Sequence, residues 1–405
     1  MGRISLDDMK KCCGCAACAD NCPQRAIKMI PDNKGFVIPK IDMEKCIECG
    51  LCKSVCQYIN PVELTETEET YVSSCSNSNV LVRSASGGCF YSIAESFLLD
   101  GGIVAGCAYD NTGAILSAKH IVAKNKTELV RLQGSKYVQS NTEGIFNEVK
   151  AAAKNNKSVL FCGTPCQVAA CKKVLEKKYD NITYVDIICH GVPSLHMFTE
   201  YVAYLEKKHG IVIDAVCFRD KSKGWDLKGS IEYHKGEKRY KKYFLTGASS
   251  YYSLFLRGQT YRECCYECKY AGKYRCGDVT LGDYWGIEKV HPEYLLKNGG
   301  KLDETKGVSC VLVNTLKGKE LIRNHGKGLF LLPSSFDNAA MFNGQLTHPS
   351  KMGANREKIL RILMEQGYSE LAKWYDRKTG LKRILYILYN TIPAKRINNE
   401  VIKDL

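Results

Sequence analysis

A four-cysteine spacing occurs twice in the first sixty residues, and it constrains the fold more than any other feature of the sequence. Both copies have the pattern C-x2-C-x2-C-x3-C, and Pro23 follows the first copy. A tight loop with this spacing places three thiolates on one face of an iron–sulfur cubane, while the fourth cysteine reaches a second cubane. The predicted ligand sets therefore cross between the copies. They are Cys12, Cys15, Cys18 and Cys56 for one 4Fe-4S cluster, and Cys46, Cys49, Cys52 and Cys22 for the other.

The segment between the two motifs predicts the hairpin that such a module needs. GFVIPKID, residues 35–42, has the pattern of a strand returning from the PDNKG turn. Together with the cysteine motifs, it resembles the bacterial two-cluster ferredoxins over residues 1–60. Two zinc sites are the alternative, although CxxC pairs satisfy zinc without a third and fourth cysteine at this spacing. The sequence departs from the ferredoxin pattern at Gln57, where a proline often stands, and at Cys13, which is surplus.

The number of cysteines bears on the compartment. The chain has 22 cysteines in 405 residues, and its start, MGRISLDDMKKCCG, lacks the apolar core of a signal peptide. No window approaches the ~18 apolar residues of a membrane span, and Leu6 breaks the myristoylation pattern. We therefore expect a cytoplasmic protein, because thiols concentrated in a reducing compartment indicate metal or redox chemistry.

Composition and charge bound the partners. Hydrophobic residues make up 45% of the chain and charged residues 25%, as in a soluble protein of two or three domains. The formal charge is +15, from 58 Lys and Arg against 43 Asp and Glu. The basic residues are spread out rather than gathered into runs, so we expect no nucleic-acid partner.

The region after the cysteine motifs begins with a loop that has two interpretations. VELTETEET after Pro61 is acidic and predicts a solvated linker over residues 61–70, with a second domain starting near Tyr71. SASGG, residues 84–88, precedes a segment with apolar residues at helical spacing. Small residues at a helix start leave backbone N–H groups open to a phosphate. The alternative is an ordinary helix cap.

A βαβ unit is predicted between residues 158 and 194. SVLFCGTPC is a buried strand with its turn, an amphipathic helix follows, and ITYVDIICHGVPS is a second buried strand ending in a loop. The two strands should be parallel with a right-handed crossover. Cys166 and Cys189 then emerge on the same carboxyl rim, where open α/β sheets bind ligands.

A CxxC pair farther along the chain supplies two more thiols. Cys265 and Cys268 lie in a loop rich in aromatic and basic residues, and two cysteines cannot complete a metal site. Cys166 and Cys189 could supply the other two, which predicts a third 4Fe-4S cluster. The alternative is a local zinc knot that uses Cys264 or Cys265 with Cys268, Cys276 and a further ligand. The remaining cysteines are expected to be small buried hydrophobes, and they are Cys75, Cys89, Cys107, Cys162, Cys171, Cys217 and Cys310.

Seven ordered motifs carry a family resemblance. They are SASGGCFYSIAE, LQGSKYVQSN, FCGTPCQVAACK, DIICHGVPS, FRDKSKGW, CYECKYAGKYRCGDVTLGDYWGI and GVSCVLVNTLKG, between residues 84 and 318. The chain resembles the coenzyme F420 hydrogenase/dehydrogenase beta-subunit family. The resemblance implies FAD in an α/β body with a 4Fe-4S cluster nearby. Family activities include reduction or oxidation of coenzyme F420 and ferredoxin-driven reduction of chlorophyll intermediates, so the substrate stays open.

The resemblance also implies residue roles. The cluster motif falls on Cys166, Cys189, Cys265 and Cys268. The flavin-contact motifs fall on Ser86, Gly87, Gly88, Gly134, Ser135, Lys136, Tyr137, Gly163, Thr164 and Gln167. Lys136 would stabilise charge on the flavin or its pyrophosphate, or it is a solvated lysine. His190 directly follows a proposed ligand and could donate a proton when the substrate is reduced, or it is structural. The family pattern leaves two roles open: Asp283 could orient a loop or bond the flavin, and Trp285 could stack or fill the core.

These expectations combine into an α+β protein. We predict a ferredoxin fold over residues 1–60, a linker over 61–70, an α/β flavin- and cluster-binding body over 71–335 and a helical, basic C-terminal extension over 336–405. Apolar spacing in that extension predicts packing against the body. Docking of the helix over residues 381–392 on a membrane surface is the less favoured alternative.

The expected function is electron transfer from a low-potential donor, such as an acidic ferredoxin, through the clusters to FAD and an organic acceptor. Three clusters and FAD would lower the formal charge from +15 to roughly +7, which still attracts an acidic donor. A G-x-G-x-x-G fingerprint does not follow any predicted strand, so direct use of a nicotinamide is unsupported. The alternatives are a non-catalytic subunit that relays electrons to a partner enzyme, and a zinc-stabilised binding protein.

Overall fold

The computed structural model describes residues 2–5, 11–222, 224–380 and 395–396. The strands are β1 (Ile27–Pro31), β2 (Val37–Ile41), β3 (Thr65–Glu66), β4 (Glu69–Cys75), β5 (Ile103–Asp110), β6 (Ser117–Ala123), β7 (Val159–Gly163), β8 (Ile182–Ile187), β9 (Val212–Cys217), β10 (Lys228–Lys235), β11 (Lys238–Leu245), β12 (Tyr274–Arg275), β13 (Val279–Asp283), β14 (Ser309–Val313), β15 (Leu329–Ser334) and β16 (Lys395–Arg396).

Helices lie between most of these strands. They are α1 (Ala17–Asp20), α2 (Leu51–Ser54), α3 (Ser78–Arg83), α4 (Cys89–Leu99), α5 (Lys126–Leu132), α6 (Ile145–Lys154), α7 (Pro165–Leu175), α8 (Leu195–His209), α9 (Ser250–Leu256), α10 (Ile287–Val290), α11 (Leu316–His325), α12 (Phe336–Ala340) and α13 (Arg356–Thr379). Short 3-10 turns occupy Thr246–Ala248, Glu263–Glu267, Pro292–Tyr294, Leu296–Asn298, Glu304–Lys306 and Gly344–Leu346.

The N-terminal region folds as a ferredoxin-like module. The predicted hairpin is confirmed, because β1 and β2 pair antiparallel with Ile27 opposite Ile41. Each cysteine motif contains one helical turn, α1 in the first copy and α2 in the second. A residue with positive φ precedes each turn, Ala16 at 60° and Gly50 at 76°. The two copies therefore use the same local backbone geometry.

An eight-stranded mixed sheet forms the body, in the order β15–β4–β14–β13–β8–β7–β5–β6. The predicted βαβ unit is confirmed, because β7 and β8 are parallel neighbours in register from Val159 opposite Ile182 to Gly163 opposite Asp186. β5 and β13 extend this parallel centre on its two sides. The outer pairs are antiparallel. The parallel centre thus collects several strand ends at one carboxyl edge.

Helices cover both faces of this sheet, as a parallel centre requires. One core packs residues of α4, α5 and α11 against the strands. The other packs α6 and α7, together with Ala17 of the ferredoxin-like module. Val159, Leu160 and Phe161 of β7 are fully buried, which explains their continuous apolar run.

A second, four-stranded antiparallel sheet lies in the order β16–β11–β10–β9. Its apolar side joins a core that includes Tyr201 and Val202 of α8, Tyr251 of α9 and Leu371 of α13. The helix α13 is interrupted at Gly367, where φ is 79° and ψ is 175°. The segment 381–392, considered above for membrane docking, lies outside the described residues. Within the described part of the chain, helices with the length and apolarity needed to cross a bilayer do not occur.

The acidic segment expected to be a solvated linker is tied to the body instead. Strand β3 pairs with β12, and β4 already begins at Glu69. Acidic side chains meet lysines of the body, since Glu66 pairs with Lys273 at 2.7 Å and Glu68 pairs with Lys319 at 2.8 Å. These acidic side chains stay exposed to solvent, Glu66 at 58% and Glu68 at 42%, while they pair with lysines of the body.

Candidate functional site

The thiols of the first predicted cluster set come together from both ends of the ferredoxin-like module. Burial and the neighbouring charges of Cys12 and Cys56 raise the pKa of Cys18. Burial raises the pKa of Cys12 to about 11, and the charges of Cys13 and Cys56 contribute to that rise. Cys56 thus lies beside the first motif although it belongs to the second. This placement is what crossed ligation requires.

The second predicted set surrounds a cavity of its own. Cys22 of the first motif lines it together with Cys46, Cys49 and Cys52 of the second. The backbone N–H of Ala26 donates a hydrogen bond to Cys22 Sγ at 3.2 Å, the kind of contact that stabilises a cluster-bound thiolate. Cys49 is exposed, whereas Cys52 is buried. This set therefore lies at the surface of the molecule.

The four thiols predicted for a body cluster line one cavity. Cys166 lies in the first turn of α7, directly after β7, and Cys189 follows β8, so both stand at the predicted carboxyl rim. The 3-10 turn Glu263–Glu267 brings Cys265 and Cys268 to the same cavity. Burial and the charges of Cys265 and Cys268 raise the pKa of Cys189.

The geometry bears on the choice between a cluster and a single zinc ion. Cys276, a ligand in the alternative zinc knot, points away from this cavity, and its Sγ donates to Pro165 O at 3.2 Å and Asp186 Oδ2 at 3.3 Å. Among the described residues, no three Cys, His, Asp or Glu side chains converge on one point as a single ion would need. A cubane instead offers separate iron atoms to its four thiolates. The body thiols lie around one cavity, an arrangement compatible with such a cluster.

The predicted flavin-contact residues surround a cavity of about 300 Å³, at the lower end of the range for small-molecule and cofactor sites. It lies where β7, β8 and β13 end and where α4 begins. Those that line it are Ser86, Gly88, Gly134, Ser135, Lys136, Tyr137, Gly163, Thr164 and Gln167. Gly87 is the exception. A Cβ at Gly87 would lie 2.5 Å from Ser73 O, so this glycine lets the loop pack closely on β4.

The residues present fit a flavin dinucleotide. The loop over residues 84–88 leads into α4, whose first N–H groups and positive φ at Gly88 (75°) leave backbone open to a phosphate. Tyr91 and Tyr137 give the cavity aromatic walls. A buried network fixes the opposite side, in which Gln167 Nε2 donates to Ser140 Oγ at 2.9 Å and Ser140 Oγ contacts His120 Nδ1 at 2.9 Å.

Lys136 lines the cavity but is not a free cation. Its Nζ donates to Arg131 O at 3.0 Å and to Gln133 O at 2.9 Å, carbonyls at the C-terminal end of α5. Burial lowers the pKa of Lys136 to about 8. The lysine therefore shapes the turn that carries Gly134 and Ser135, and it brings a positive charge to this side of the cavity. Both features fit the predicted flavin contact.

His190 and Asp283 line the cavity. Asp283 forms an ion pair with Arg219 that the sequence did not reveal. Arg219 Nη1 donates to Asp283 Oδ2 at 2.6 Å, and the guanidinium is buried. Trp225 and Trp285 stack at 4.8 Å between ring centroids, and Arg219 Cζ lies 5.0 Å from the Trp285 ring. Burial lowers the pKa of His190, which the Asp283 charge partly opposes. Arg219 and Asp283 are 64 residues apart, so their pairing carried no local signal.

Lys221 is a second residue that sequence reasoning missed. Its Nζ donates to Leu81 O at 2.8 Å, to Lys306 O at 2.5 Å and to Ser86 O. Burial lowers the pKa of Lys221 to about 7. The FRDKSKGW motif contains this lysine but does not predict its contacts, because its three partners are distant in the sequence. It fixes the loop that leads into α4 against the 3-10 turn Glu304–Lys306.

The two departures from the ferredoxin pattern lie at the junction with the body. Gln57 Nε2 donates to Cys13 Sγ at 3.1 Å, and Tyr270 OH donates to Gln57 Oε1. Hydrogen bonds with Cys15 and Cys166 lower the pKa of Cys13 well below its usual value. Cys13 also lines both the flavin cavity and the body thiol cavity. Cys13 and Gln57, the two departures from the ferredoxin pattern, therefore both lie at the contact between the ferredoxin-like module and the body.

Comparisons with known proteins find similarity in two parts of the chain. Residues 156–331 match the family described as the C terminus of the coenzyme F420 hydrogenase/dehydrogenase beta subunit, and residues 11–59 match the 4Fe-4S dicluster domain. A 77-residue alignment is 38% identical to an uncharacterized polyferredoxin-like protein of Methanocaldococcus jannaschii, covering 15% of this chain and 45% of that protein. A chain of the F420-reducing NiFe hydrogenase complex from Methanosarcina barkeri aligns over 76% of this chain and 91% of its own, with 14% identity and a TM-score of 0.41.

Proposed function

We propose that this chain, a member of the coenzyme F420 hydrogenase/dehydrogenase beta-subunit family with an N-terminal 4Fe-4S dicluster domain, is an iron–sulfur flavoprotein oxidoreductase. It would pass electrons from a low-potential donor such as ferredoxin to an organic acceptor or to coenzyme F420. One observation carries the proposal. The cavity lined by the body thiols and the cavity lined by the predicted flavin contacts share Cys13, Thr164, Cys166, His190 and Val192.

Bound at these sites, the clusters would supply one-electron transfer and FAD would supply exchange between single electrons and electron pairs. The chain's contribution is to hold the sites next to each other. Cys166 is directly between the two cavities, and Thr164 Oγ1 contacts its Sγ at 3.2 Å. Thr164 N donates to Gln167 Oε1 at 3.0 Å, so the first turn of α7 is locked by its own capping box.

The ferredoxin-like module is docked with its first cysteine motif toward the body. Gln139 Nε2 donates to Cys13 O at 2.8 Å, and Thr142 Oγ1 donates to Cys15 O at 2.9 Å. We call the set Cys12, Cys15, Cys18 and Cys56 the proximal set. The set Cys22, Cys46, Cys49 and Cys52 is the distal set. This orientation favours a path from the distal set to the proximal set, then to the body thiols and the flavin cavity.

The surface over the distal set suits a protein donor. Ile47 and Leu51 are 62% and 44% exposed and line the same cavity as the exposed Cys49, and Met43 nearby in the sequence is 53% exposed. Exposed apolar side chains gathered at one place mark protein contact sites. The chain's net charge of +15 would attract an acidic carrier. An acidic ferredoxin meets both requirements.

The residues at the far side of the flavin cavity suit an acceptor that needs a proton. His190 lines both cavities, and its backbone oxygen accepts a hydrogen bond from Ser350 Oγ at 2.6 Å. Arg219 holds Asp283, which also lines the cavity. In this proposal His190 delivers the proton, while Asp283 and Trp285 position the acceptor.

The test is an anaerobic assay of the purified full chain. Reduced ferredoxin is supplied, and candidate acceptors, including coenzyme F420, are screened for oxidation of the donor. We expect turnover of at least one acceptor, together with iron, sulfide and flavin absorbance in the protein. Reducible clusters without turnover of any acceptor would favour a non-catalytic electron-transfer subunit. Protein without iron, sulfide and flavin would contradict the proposal.

A further inference from the structure

A buried arginine occupies the junction between the proximal set and the body thiols. Arg262 is 4% exposed and precedes the turn that carries Cys265. Its Nη1 donates to Cys12 O at 3.1 Å and its Nη2 donates to Val37 O at 2.9 Å. Its Nε donates to Gln139 Oε1 at 3.0 Å. One guanidinium thus joins the first cysteine motif, the ferredoxin hairpin and the body.

The partners of Arg262 are neutral. All three hydrogen bonds end on carbonyl or amide oxygens, and Phe36 lies against the guanidinium with its ring centroid 5.0 Å from Cζ. In the part of the chain that the structure describes, Arg262 forms no ion pair with a carboxylate. A buried charge is costly unless something compensates it. The anionic groups that would compensate it are the thiolates of clusters bound at the predicted sets.

Arg262 is hydrogen-bonded to residues of both thiol sets. Its Nη1 donates to the backbone oxygen of Cys12 at 3.1 Å, and its own backbone oxygen accepts from Cys265 N at 3.0 Å. The same cation therefore lies beside the proximal set and beside the body set.

We propose that Arg262 is a positioning residue whose uncompensated charge raises the reduction potentials of the proximal and body clusters together. The inference rests on the proposed function, because it requires clusters at these thiols. One-electron reduction adds one negative charge to a cluster, and a buried cation nearby stabilises the reduced form more than the oxidised form. Arg262 is not among the described residues that line the cavity of the distal set. Arg262 would therefore favour transfer of electrons from the distal cluster toward the body.

The experiment is a redox titration of the anaerobic full-length protein, followed by electron paramagnetic resonance, for wild type, Arg262→Gln and Arg262→Lys. We expect Arg262→Gln to lower the midpoint potentials of two clusters and to shift the third less. Arg262→Lys keeps the charge and should shift them less than Arg262→Gln. The matched control is Arg356→Gln, which removes an arginine that is as buried but is paired with Glu357. Its cluster potentials should match those of wild type.

A near-isosteric variant covers the case in which Arg262→Gln fails to assemble clusters. Gln139→Glu places a carboxylate where Gln139 Oε1 now accepts from Arg262 Nε, and it should lower the same two potentials by compensating the cation. Unchanged potentials in the variants that load normal iron would overturn the inference and leave Arg262 with a purely structural role. A wild-type protein that binds no clusters would overturn the proposed function itself, which separates the two failures.

Discussion

Single residues decide how closely the ferredoxin-like module can approach the body. Gly14 has φ of 67°, and a Cβ at this position would lie 2.6 Å from Arg262 Nη2 and 2.7 Å from Gln139 Nε2. Glycine is therefore favoured at this position for two reasons. The backbone is left-handed, and a side chain would collide with Arg262 and Gln139, which contact the ferredoxin-like module. The spacing C-C-G-C shows the glycine in the sequence, but its neighbours come from more than a hundred residues away.

Replacement of Gly14 by Ala is expected to loosen this contact. The control is Gly101→Ala, because Gly101 has a similar φ of 83° and nothing within 4 Å of its ideal Cβ. Overpacking costs typically about 1–3 kcal/mol, so Gly14→Ala should lower the stability of the protein by about that much more than Gly101→Ala does. Thermal unfolding of the anaerobic proteins measures the difference. Equal effects of the two substitutions would mean that the contact is not as close as described.

At the scale of elements, loops around the flavin cavity are fixed by long side chains from other elements. Lys221 connects α3, the loop over 84–88 and the 3-10 turn Glu304–Lys306 through three backbone carbonyls. Trp225 Nε1 adds a hydrogen bond to Ala85 O at 3.1 Å. These contacts keep the N-terminal end of α4 in place. We propose that the binding of FAD depends on them.

Lys221→Met is therefore expected to weaken FAD binding while iron content stays unchanged. Three backbone carbonyls would lose their donor, at a cost of about 1–3 kcal/mol for each one left buried and unpaired, which predicts a dissociation constant for FAD at least tenfold higher. Lys306→Gln is the control, because the Lys306 side chain forms only an exposed pair with Asp303 at 3.3 Å. Titration of the flavin-depleted proteins with FAD measures both. Wild-type affinity in Lys221→Met would refute the role assigned to this lysine.

The elements that sequence analysis found are those with local signals. The β1–β2 hairpin has a turn and alternating residues, and β7 and β8 have short apolar runs that flank an amphipathic helix. The four-stranded sheet was not anticipated, because KRYKKYFL in β11 is a strand whose charged residues hide its alternation. The ties of residues 65–69 to the body were also missed, since β3 pairs with β12 across more than two hundred residues.

The candidate site follows the same rule. Motif spacing pointed to thiols that the structure brings together, at Cys22 with the second motif and at Cys166 with Cys189, Cys265 and Cys268. The residues that support these positions had no such spacing. Arg219, Lys221 and Arg262 act through backbone carbonyls or through one distant carboxylate, and such partners leave no pattern in a single sequence.

At the scale of the whole molecule, we propose that electrons pass from the distal set through the proximal set and the body thiols to the flavin cavity. The distal set shares its cavity with the exposed side chains of Ile47 and Leu51. The proximal set faces the body across Gln139 and Arg262. The body thiols then border the flavin cavity through Cys166. This arrangement predicts that the exposed apolar surface matters for a protein donor and not for a small reductant.

Ile47→Asn should slow reduction by ferredoxin by about fivefold or more, the effect of losing ~1 kcal/mol at an important interface residue. Reduction by dithionite should be unchanged, because a small reductant does not need that surface. Leu99→Asn is the control, since Leu99 is 83% exposed and lies at the end of α4, outside the ferredoxin-like module. Stopped-flow measurement of cluster bleaching distinguishes the outcomes. A similar loss in both variants would place the donor surface elsewhere.

The central claim is that Cys166, Cys189, Cys265 and Cys268 hold a third cluster beside the flavin cavity. Iron and sulfide analysis of anaerobically purified wild type and Cys166→Ser tests it most directly. The account predicts about twelve iron atoms per chain in the wild type and about eight in the variant, with both ferredoxin-type clusters retained. The same iron content in the two proteins, with about eight atoms in each, would contradict it.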